Sequence, residues 1–560
     1  MNGPSPEGGI RWETYLADHP DLLPEVLASN ERRERRFPIR LPPMQDGRGF
    51  ESAWLVLPRG FPVEPATIRL SKDAILTLPH VEFDGKLCIG AEAGVGSGAS
   101  VEERLSDFLD RFKSDFLKPW LAGQLDSEFV RETRNYWDIH VGRFQTARDP
   151  IRKVYLLDER VKTPKVYEAK LTVPGRAVIA GENSSAVQRL AASFGWRASQ
   201  LRNVMIAEIP VTYDFEPNTW PQSLRQLELL LTSRLTSRDR KRFSASQKQF
   251  RVVLLRSPNC TYGLLLPGGP AVQIKEGRAT LTVRNTRLQP LLADRIDPMW
   301  TCGRDQHAEV LGRQKAHVLV FGVGALGSLV VDQLARAGLG KISLVDSDCL
   351  STANIGRHLL GVDSVGFPKA KAVARHVERN VHSCELVPYA VSAEQFLSRY
   401  DLSAFDVVLD LTGEPDVRAR LEQSRLKVAV PLLVAWMEPY VAAAHACLLT
   451  AGTRWMHQGK DPLNDIQAVR WPADVIQREP GCSSQFQSYT HSAAAYAIGL
   501  VSEAALDLID GDVTKPLVRS WVRGQQYLDD HFLGLRHESW AMKAADCEGV
   551  RITRGWGDGK

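Results

Sequence analysis

No Cys-x-x-Cys pair occurs anywhere in the 560 residues, and the eight cysteines are scattered. Their spacing excludes the paired-thiol signature of a structural zinc site and supplies no disulfide framework. No uninterrupted apolar run approaches the roughly 18 residues that a membrane-spanning helix needs. The opening residues, Met1 to Gly9, lack the basic-then-apolar order of a secretory signal. A cytoplasmic protein without a membrane partner is therefore expected. Net charge is only +4, from 70 basic and 66 acidic side chains. Such balance argues against a nucleic-acid binder driven by bulk electrostatics. With hydrophobic residues at 44% and charged ones at 24%, the chain reads as folded. Its length allows roughly two to four domains, each with its own core.

What is present concentrates in the segment His317–Gly327. A short apolar run, read as a buried strand, ends in Gly322, Gly324 and Gly327, and Leu329 to Leu334 reads as the following helix. Glycines at such a turn let the backbone approach a phosphate, and the helix N-terminus favours negative charge. The next apolar strand, Lys341 to Asp346, ends in an acid about 24 residues after Gly322, where a ribose hydroxyl is commonly held. To this point a nicotinamide-dependent oxidoreductase fits equally well. The chain then adds Asp348, an Asn354-x-x-Arg357 followed by His358, a Gly366-x-Pro368-Lys369, and an apolar strand Val407–Asp410 closing on an acid.

That ordered series resembles the adenylation domain of the ubiquitin-activating and ThiF/MoeB family. The resemblance implies a Rossmann-like α/β domain that binds ATP and Mg²⁺. Asp346 would hold the ribose, Asp348 would lie beside the nucleotide, Asn354, Arg357 and Lys369 would contact the phosphates, and Asp410 would hold Mg²⁺. The chemistry is coherent, because carboxylate attack on an α-phosphate needs fixed cations to offset the charge of departing pyrophosphate. Plainer readings remain for single residues: solvated surface charges for Arg357 and Lys369, a strand-end cap for Asp410. A family arginine also reaches the phosphates from before the first strand, often from a partner subunit. Arg304 is the candidate, with Arg313 behind it, although either could pair with a neighbouring acid. Many MoeB-like enzymes carry two Cys-x-x-Cys pairs, and their absence is a departure from that branch.

The N-terminal region carries separate signals. Trp54–Pro58 reads as a strand, and a proline-punctuated turn leads to a second strand ending at Leu70. Leu78-Pro79-His80 follows, and Cys88 comes shortly after Gly85. Val101–Leu117 has apolar residues at helical spacing, and Pro119 is expected to end that helix. The pattern resembles a ubiquitin-conjugating domain, which implies Cys88 as a thioester carrier. A thiolate is a good nucleophile, and its thioester is energetic. The alternative is a small buried hydrophobe. The family's His-Pro-Asn has become Leu-Pro-His80, so either His80 supplies the oxyanion hydrogen bond or it only folds the loop.

Between about 150 and 295 no chemistry is legible. Alternation at Val154 and at Lys170 suggests strands, Gln226–Leu235 a helix, and Arg238–Arg242 a solvated turn or a docking patch. After Asp410 come an apolar strand, Val430–Trp436, and a loop-rich stretch containing Cys482. An alanine-rich helix follows, opening near Thr490. Activating enzymes place their catalytic cysteine in a loop before such a helix, whose N-terminus would lower the thiol pKa. By resemblance Cys482 is the second thioester site; otherwise it is an ordinary loop cysteine. Cys349 is read as a packing residue.

The combined order gives residues 1–145 as conjugating-like, 146–295 as a linking α/β domain and 296–560 as the adenylation domain. That order resembles the fused conjugating and activating enzymes of bacterial CBASS anti-phage systems. The resemblance implies a protein substrate with a free C-terminal tail, a cGAS-like nucleotidyltransferase, and a homodimer. A bacterial ubiquitin-like protein as donor, a sulfur-carrier adenylyltransferase and, from a different class, a nicotinamide-dependent oxidoreductase are the rivals.

Overall fold

The computed structural model describes residues 34–39, 41, 53–61, 63–89, 100–146, 149–158, 161–172, 175–246, 250–268, 270–275, 278–284, 287–472, 475, 477–478, 485–486, 489–531, 534–544 and 547–557. Contacts divide the chain into two units, residues 1–182 with 200–294, and residues 183–199 with 295–560. The helix Ser184–Ser193 thus belongs with the second unit.

The first unit begins with an antiparallel sheet of Glu34–Ile39, Ala53–Pro58 and Thr67–Leu70. Alternation places Leu55, Leu57, Ile68 and Leu70 in the core while Trp54 and Arg69 lie half-buried. Ser100 and Glu103 form a reciprocal capping box that starts the next helix, at 2.7 and 3.1 Å. Leu105, Phe108, Leu109, Phe112, Phe116 and Trp120 line its buried stripe. Contrary to expectation, Pro119 does not stop it. The backbone widens into a π-helical segment over Phe112–Leu117, and Pro119 opens a further α-helical turn, Lys118–Leu121, where a missing N–H costs nothing.

Seven strands close into a barrel in the order Gln289–Arg295, Lys153–Leu156, Ala177–Ala180, Lys165–Thr172, Leu201–Pro210, Phe250–Arg256 and Thr261–Leu265. Val154, Leu171, Val178, Ile206, Val252 and Leu265 fill its interior. The parallel pair Leu201–Pro210 and Phe250–Arg256 is joined through helices Leu224–Arg234 and Ser237–Ala245. The charge run Arg238–Arg242 is therefore helical, capped by Thr236, and Arg242 donates to the Val166 carbonyl at 2.9 Å. Helix Thr133–Phe144 packs on the barrel wall. Its Trp137 indole donates to the Leu291 carbonyl at 3.0 Å, and the Thr133 hydroxyl to the Phe215 carbonyl at 3.0 Å.

The second unit is built on an eight-stranded sheet. Its order is Glu385–Tyr389, Lys341–Val345, His317–Phe321, Val407–Asp410, Leu432–Met437, Ala443–Leu449, Leu517–Arg523 and Gly549–Gly555. The first five strands are parallel and the rest antiparallel. Helices Ala325–Arg336, Lys369–Asn380 and His491–Asp510 contribute to the core on one face, and Ala393–Leu397 and Pro415–Arg425 to a second core. His491–Asp510 has the length and mean hydropathy (1.4) of a membrane span. Its Ala497, Ile498, Val501, Ala504 and Ala505 are buried in the core, which explains the composition. The chain order around His317–Phe321 reverses at Val407–Asp410, a switch point whose crevice receives ligands in open α/β sheets.

One buried carboxylate anchors the loops beyond this sheet. Glu438 accepts from the His445 ring at 2.7 Å, from Ala468 and Val469 N–H at 2.5 and 3.2 Å, and from the Trp471 indole at 2.7 Å. Glu438→Ala would leave those buried donors unpaired. We expect a loss of about 2–4 kcal/mol, measured by urea unfolding of the second unit, and faster tryptic cleavage at Arg470 and Arg478.

Candidate active sites

Each glycine of the turn after Phe321 answers a different steric demand. Gly322 has φ +83°, and a Cβ there would meet the Thr412 nitrogen at 2.9 Å. A Cβ on Gly327 would stand 2.0 Å from the Gly322 carbonyl oxygen, so helix and strand end touch through backbone. At Gly324, the N-cap of Ala325–Arg336, nothing lies within 4 Å of the position a Cβ would take, leaving the face open to a ligand.

Val323, between them, is held from both sides. Its N–H donates to Asp346 at 2.9 Å, and its carbonyl accepts from His358 at 2.7 Å. Because His358 Nδ1 accepts from Leu360 N–H at 3.1 Å, the ring proton sits on Nε2. Burial pushes the His358 pKa down, which favours this neutral form. The sequence pattern contains His358 but gives it no task; only its adjacency to Arg357 could have flagged it. Asp346 also accepts from Asp348 N–H at 2.8 Å, and burial raises its carboxyl pKa.

Asp410 ends its strand directly beside Phe321. It is 1% exposed, and its Oδ1 accepts from the Thr412 N–H and hydroxyl at 3.1 and 2.7 Å. Its Oδ2 is buried with no hydrogen-bond partner, and burial raises the pKa. The strand-end-cap reading accounts for one oxygen and leaves the other unused. Such an orphaned carboxylate oxygen fits Mg²⁺, which takes one or two protein carboxylates and completes its octahedron with water and phosphate. Among the described residues no cluster of three or more metal-ligating side chains exists.

Lys369 is 8% exposed, begins its helix, and pairs with Asp348 at 3.0 Å. It is not the solvated charge of the plainer reading. Asn354 Oδ1 accepts from the N–H and hydroxyl of Ser351 at 3.0 and 3.1 Å, shaping the loop. The Arg357 guanidinium lies 4.9 Å above the Tyr489 ring. Tyr489 stands just before helix His491–Asp510, at the exit of the stretch that holds Cys482. Cys482 itself lies outside the described residues. Arg304 is exposed and caps helix Pro298–Gly303 in a left-handed conformation, φ +50°. Arg313 is committed to Asp510, at 2.5 and 2.9 Å. Cys349 is exposed rather than packed, because its loop leaves the sheet.

In the first unit Cys88 is exposed. Its N–H donates to the His80 carbonyl at 2.7 Å. His80 adopts φ +63°, and its own N–H donates to the Tyr136 hydroxyl at 2.9 Å, so its backbone does fold the loop. The Tyr136 hydroxyl donates to Glu132 at 3.0 Å, and His80 Nδ1 stands 3.7 Å from the same carboxylate oxygen. Partial burial, then the charges of Glu82 and Glu132, raise the Cys88 thiol pKa against an opposing effect of Lys86. Tyr136 and Glu132 carried no sequence signal, since they lie far along the chain from the thiol.

These two constellations coincide with two family profiles, the ThiF family over residues 306–450 and prokaryotic E2 family B over residues 21–144. The chain thus joins an E2-like domain to a ThiF-family domain. Among curated proteins it is similar to the ATP-dependent ubiquitin transferase-like protein Cap2 of Pseudomonas aeruginosa. Identity there is 25% over 278 residues, 48% of this chain and 50% of that protein. Cap2 of Enterobacter hormaechei is 32% identical over 124 residues, 21% of each chain. The chain spans half or less of the length of these curated relatives in the matches. The crystal structure of Escherichia coli MccB with ATP aligns at TM-score 0.29 and 16% identity, covering 38% of this chain and 61% of that one.

The glycine geometry yields a paired expectation. Gly327→Ala should force helix from strand and lower the melting temperature by several degrees. Gly324→Ala should leave the melt within about one degree. Differential scanning calorimetry of both variants checks this.

Proposed function

We propose that the chain adenylates the C-terminal carboxylate of a protein and relays the acyl group from Cys482 to Cys88. Ligation to an amine on a target completes the sequence. The observation that carries the first step is the buried, unpartnered Oδ2 of Asp410 beside the open glycine turn. A carboxylate without a partner at a ligand crevice costs stability unless a bound cation compensates it. Mg²⁺ held there would neutralise phosphate charge as pyrophosphate departs. Around it, the open N-terminus of Ala325–Arg336 receives phosphate oxygens, Asp346 stands where a ribose would lie, and Lys369 and Arg357 supply positive charge.

Two thiols suit the later steps, since an adenylate hydrolyses readily and a thioester can pass between domains. Placing Cys482 in the relay is supported by its position before helix His491–Asp510, capped by Thr490. For Cys88 the support is exposure, the anchored His80 turn and the E2-family match. In this reading residues 1–145 conjugate, 146–295 link and 296–560 activate. A cGAS-like nucleotidyltransferase is the proposed donor, in anti-phage defence, with a homodimer in which Arg304 serves the partner's phosphates. The site is proposed as cytoplasmic. A ubiquitin-like donor would use the same chemistry.

Purified protein, Mg-ATP and the proteins of its operon should give reductant-sensitive adducts on both cysteines, read on non-reducing gels. Cys482→Ala should abolish both adducts, whereas Cys88→Ala should keep the one on Cys482. A Cys88 adduct that survives Cys482→Ala would refute the relay order. Asp410→Asn should keep or raise the melting temperature of the free protein and erase its stabilisation by Mg-ATP. The pH signs differ between states. Carboxyl pKa values raised by folding contribute stability that is present below the unfolded value and lost as pH rises through the folded one. Mg-ATP binding needs the ionised forms, so its thermal shift should fade on acidification from above the ordinary aspartate value of about 3.9. Thermal shifts across pH with and without Mg-ATP measure both.

A further inference from the structure

We propose that the second unit holds a binding site for a small aromatic carboxylate, separate from the glycine turn and independent of the adenylation reading. A cavity of about 200 Å³ opens where the end of strand Gly549–Gly555 meets the loop running from His457 to Ile466. Its lining includes Lys460, Asp465, Ile466, Val518, Arg554 and Trp556, and none of the residues placed around the nucleotide. The volume lies below the ~300 Å³ at which drug-sized pockets begin, so it suits one or two fused rings. Among its lysine, arginine and acidic side chains, two cations stand against one carboxylate. That excess of a single positive charge matches a monoanion.

Arg554 is the centre of the site. Pairing of strands Leu517–Arg523 and Gly549–Gly555 sets it opposite Val518, and both line the cavity. Its guanidinium carbon stands 3.4 Å from the Trp540 ring centroid, and one Nη donates to the Ile466 carbonyl at a long 3.4 Å. Its Nε is buried without a partner, and no carboxylate among the described residues pairs with it. Burial lowers its pKa, as expected of a cation drawn from water with no counter-ion. Stacking on Trp540 occupies one face of the guanidinium and neutralises no charge. A guanidinium fork binds a carboxylate through two parallel hydrogen bonds, the one interaction this arginine lacks. Lys460 and Asp465 are exposed on the same lining, and neither forms an ion pair among the described residues.

The walls are set before any ligand arrives. His457 and Lys460 exchange both backbone hydrogen bonds, at 3.0 and 2.9 Å, around Gln458 and Gly459 with φ +51° and +78°. Asp461 pairs with Arg418 at 2.8 Å, and Trp455 N–H donates to Glu422 at 3.0 Å, so helix Pro415–Arg425 holds this loop. Trp556 N–H donates to the Pro516 carbonyl at 3.1 Å, and its ring lies 5.3 Å from that of the buried Trp455. The half-buried Trp556 indole offers a flat apolar surface to an aromatic ring, and Ile466 and Val518 extend it. Walls fixed in this way spare the cost of ordering them on binding.

Isothermal titration of the full chain with 2-naphthoate, in the absence of nucleotide and magnesium, tests this. The wild type should bind with Kd below about 1 mM, as a ligand of so few atoms allows. The uncharged analogue 2-naphthalenemethanol should bind about tenfold more weakly. Arg554→Gln should lose about the same factor for naphthoate, Arg554→Lys should recover part of it, and Asp465→Asn should keep or tighten binding. Since Arg554 stacks on Trp540, the melting temperature of Arg554→Gln is read alongside, and the comparison of acid with alcohol needs no variant. Equal affinity of the wild type for acid and alcohol overturns the proposal, as does undiminished naphthoate binding by a folded Arg554→Gln. 2-Naphthyl phosphate should bind no tighter than naphthoate, and a tighter fit would overturn the assignment to a carboxylate. Photolabelling with a trifluoromethyldiazirinyl benzoate should mark the tryptic peptides that carry His457 or Trp556, and excess naphthoate should remove the mark. Labelling confined to the peptide of the glycine turn would give the affinity to the nucleotide site and sink the idea.

Discussion

The helix Ala325–Arg336 can sit on its strand only because Gly327 has no side chain. With 2.0 Å between a Cβ position and the Gly322 oxygen, any larger residue would lift the helix N-terminus from the sheet. That backbone contact sets where the amide dipoles converge. Val323 then has both polar groups claimed, by Asp346 below and His358 beside, so the turn is held before any ligand arrives. Rigidity of this kind removes the entropy cost of ordering a phosphate loop during binding.

Both sites keep an electrostatic imbalance in the free protein. In the second unit it is a fully buried Asp410 oxygen without a donor. In the first, partial burial and the charges of Glu82 and Glu132 raise the Cys88 thiol pKa, against the opposing charge of Lys86. Each imbalance has a sign, and a bound cation of the matching kind would relieve it. Interactions that a ligand completes contribute to its affinity and specificity, whereas charges already paired would contribute little. By contrast, Glu438 collects four donors, and Arg313 is spent on Asp510.

The glycine turn, the strands around it, the helix after Thr490 and the helix through Gln226–Leu235 were legible because short-range pattern decides them. Gly322 and Asp410 could be placed at strand ends, since apolar runs mark strands and the next glycine or acid marks their exit. Misreadings came where neighbours override local preference. Arg238–Arg242 looks like a turn by charge, yet a Thr236 cap and the Val166 carbonyl make it helical. Pro119 looks like a stop, yet the π turn preceding it accommodates the missing donor.

Residue types and spacing by themselves determined which groups could do chemistry: the glycines, the ordered acids and cations, and Cys88. Tertiary structure alone decided what those groups touch. It brought Tyr136 and Glu132 to the Cys88 loop, closed seven modest strands into a barrel, gave His358 its hold on Val323, and exposed Cys349. The physical reason is range. Periodicity and capping act over a few residues, whereas burial, hydrogen-bond partners and local field depend on chain segments that only packing brings together.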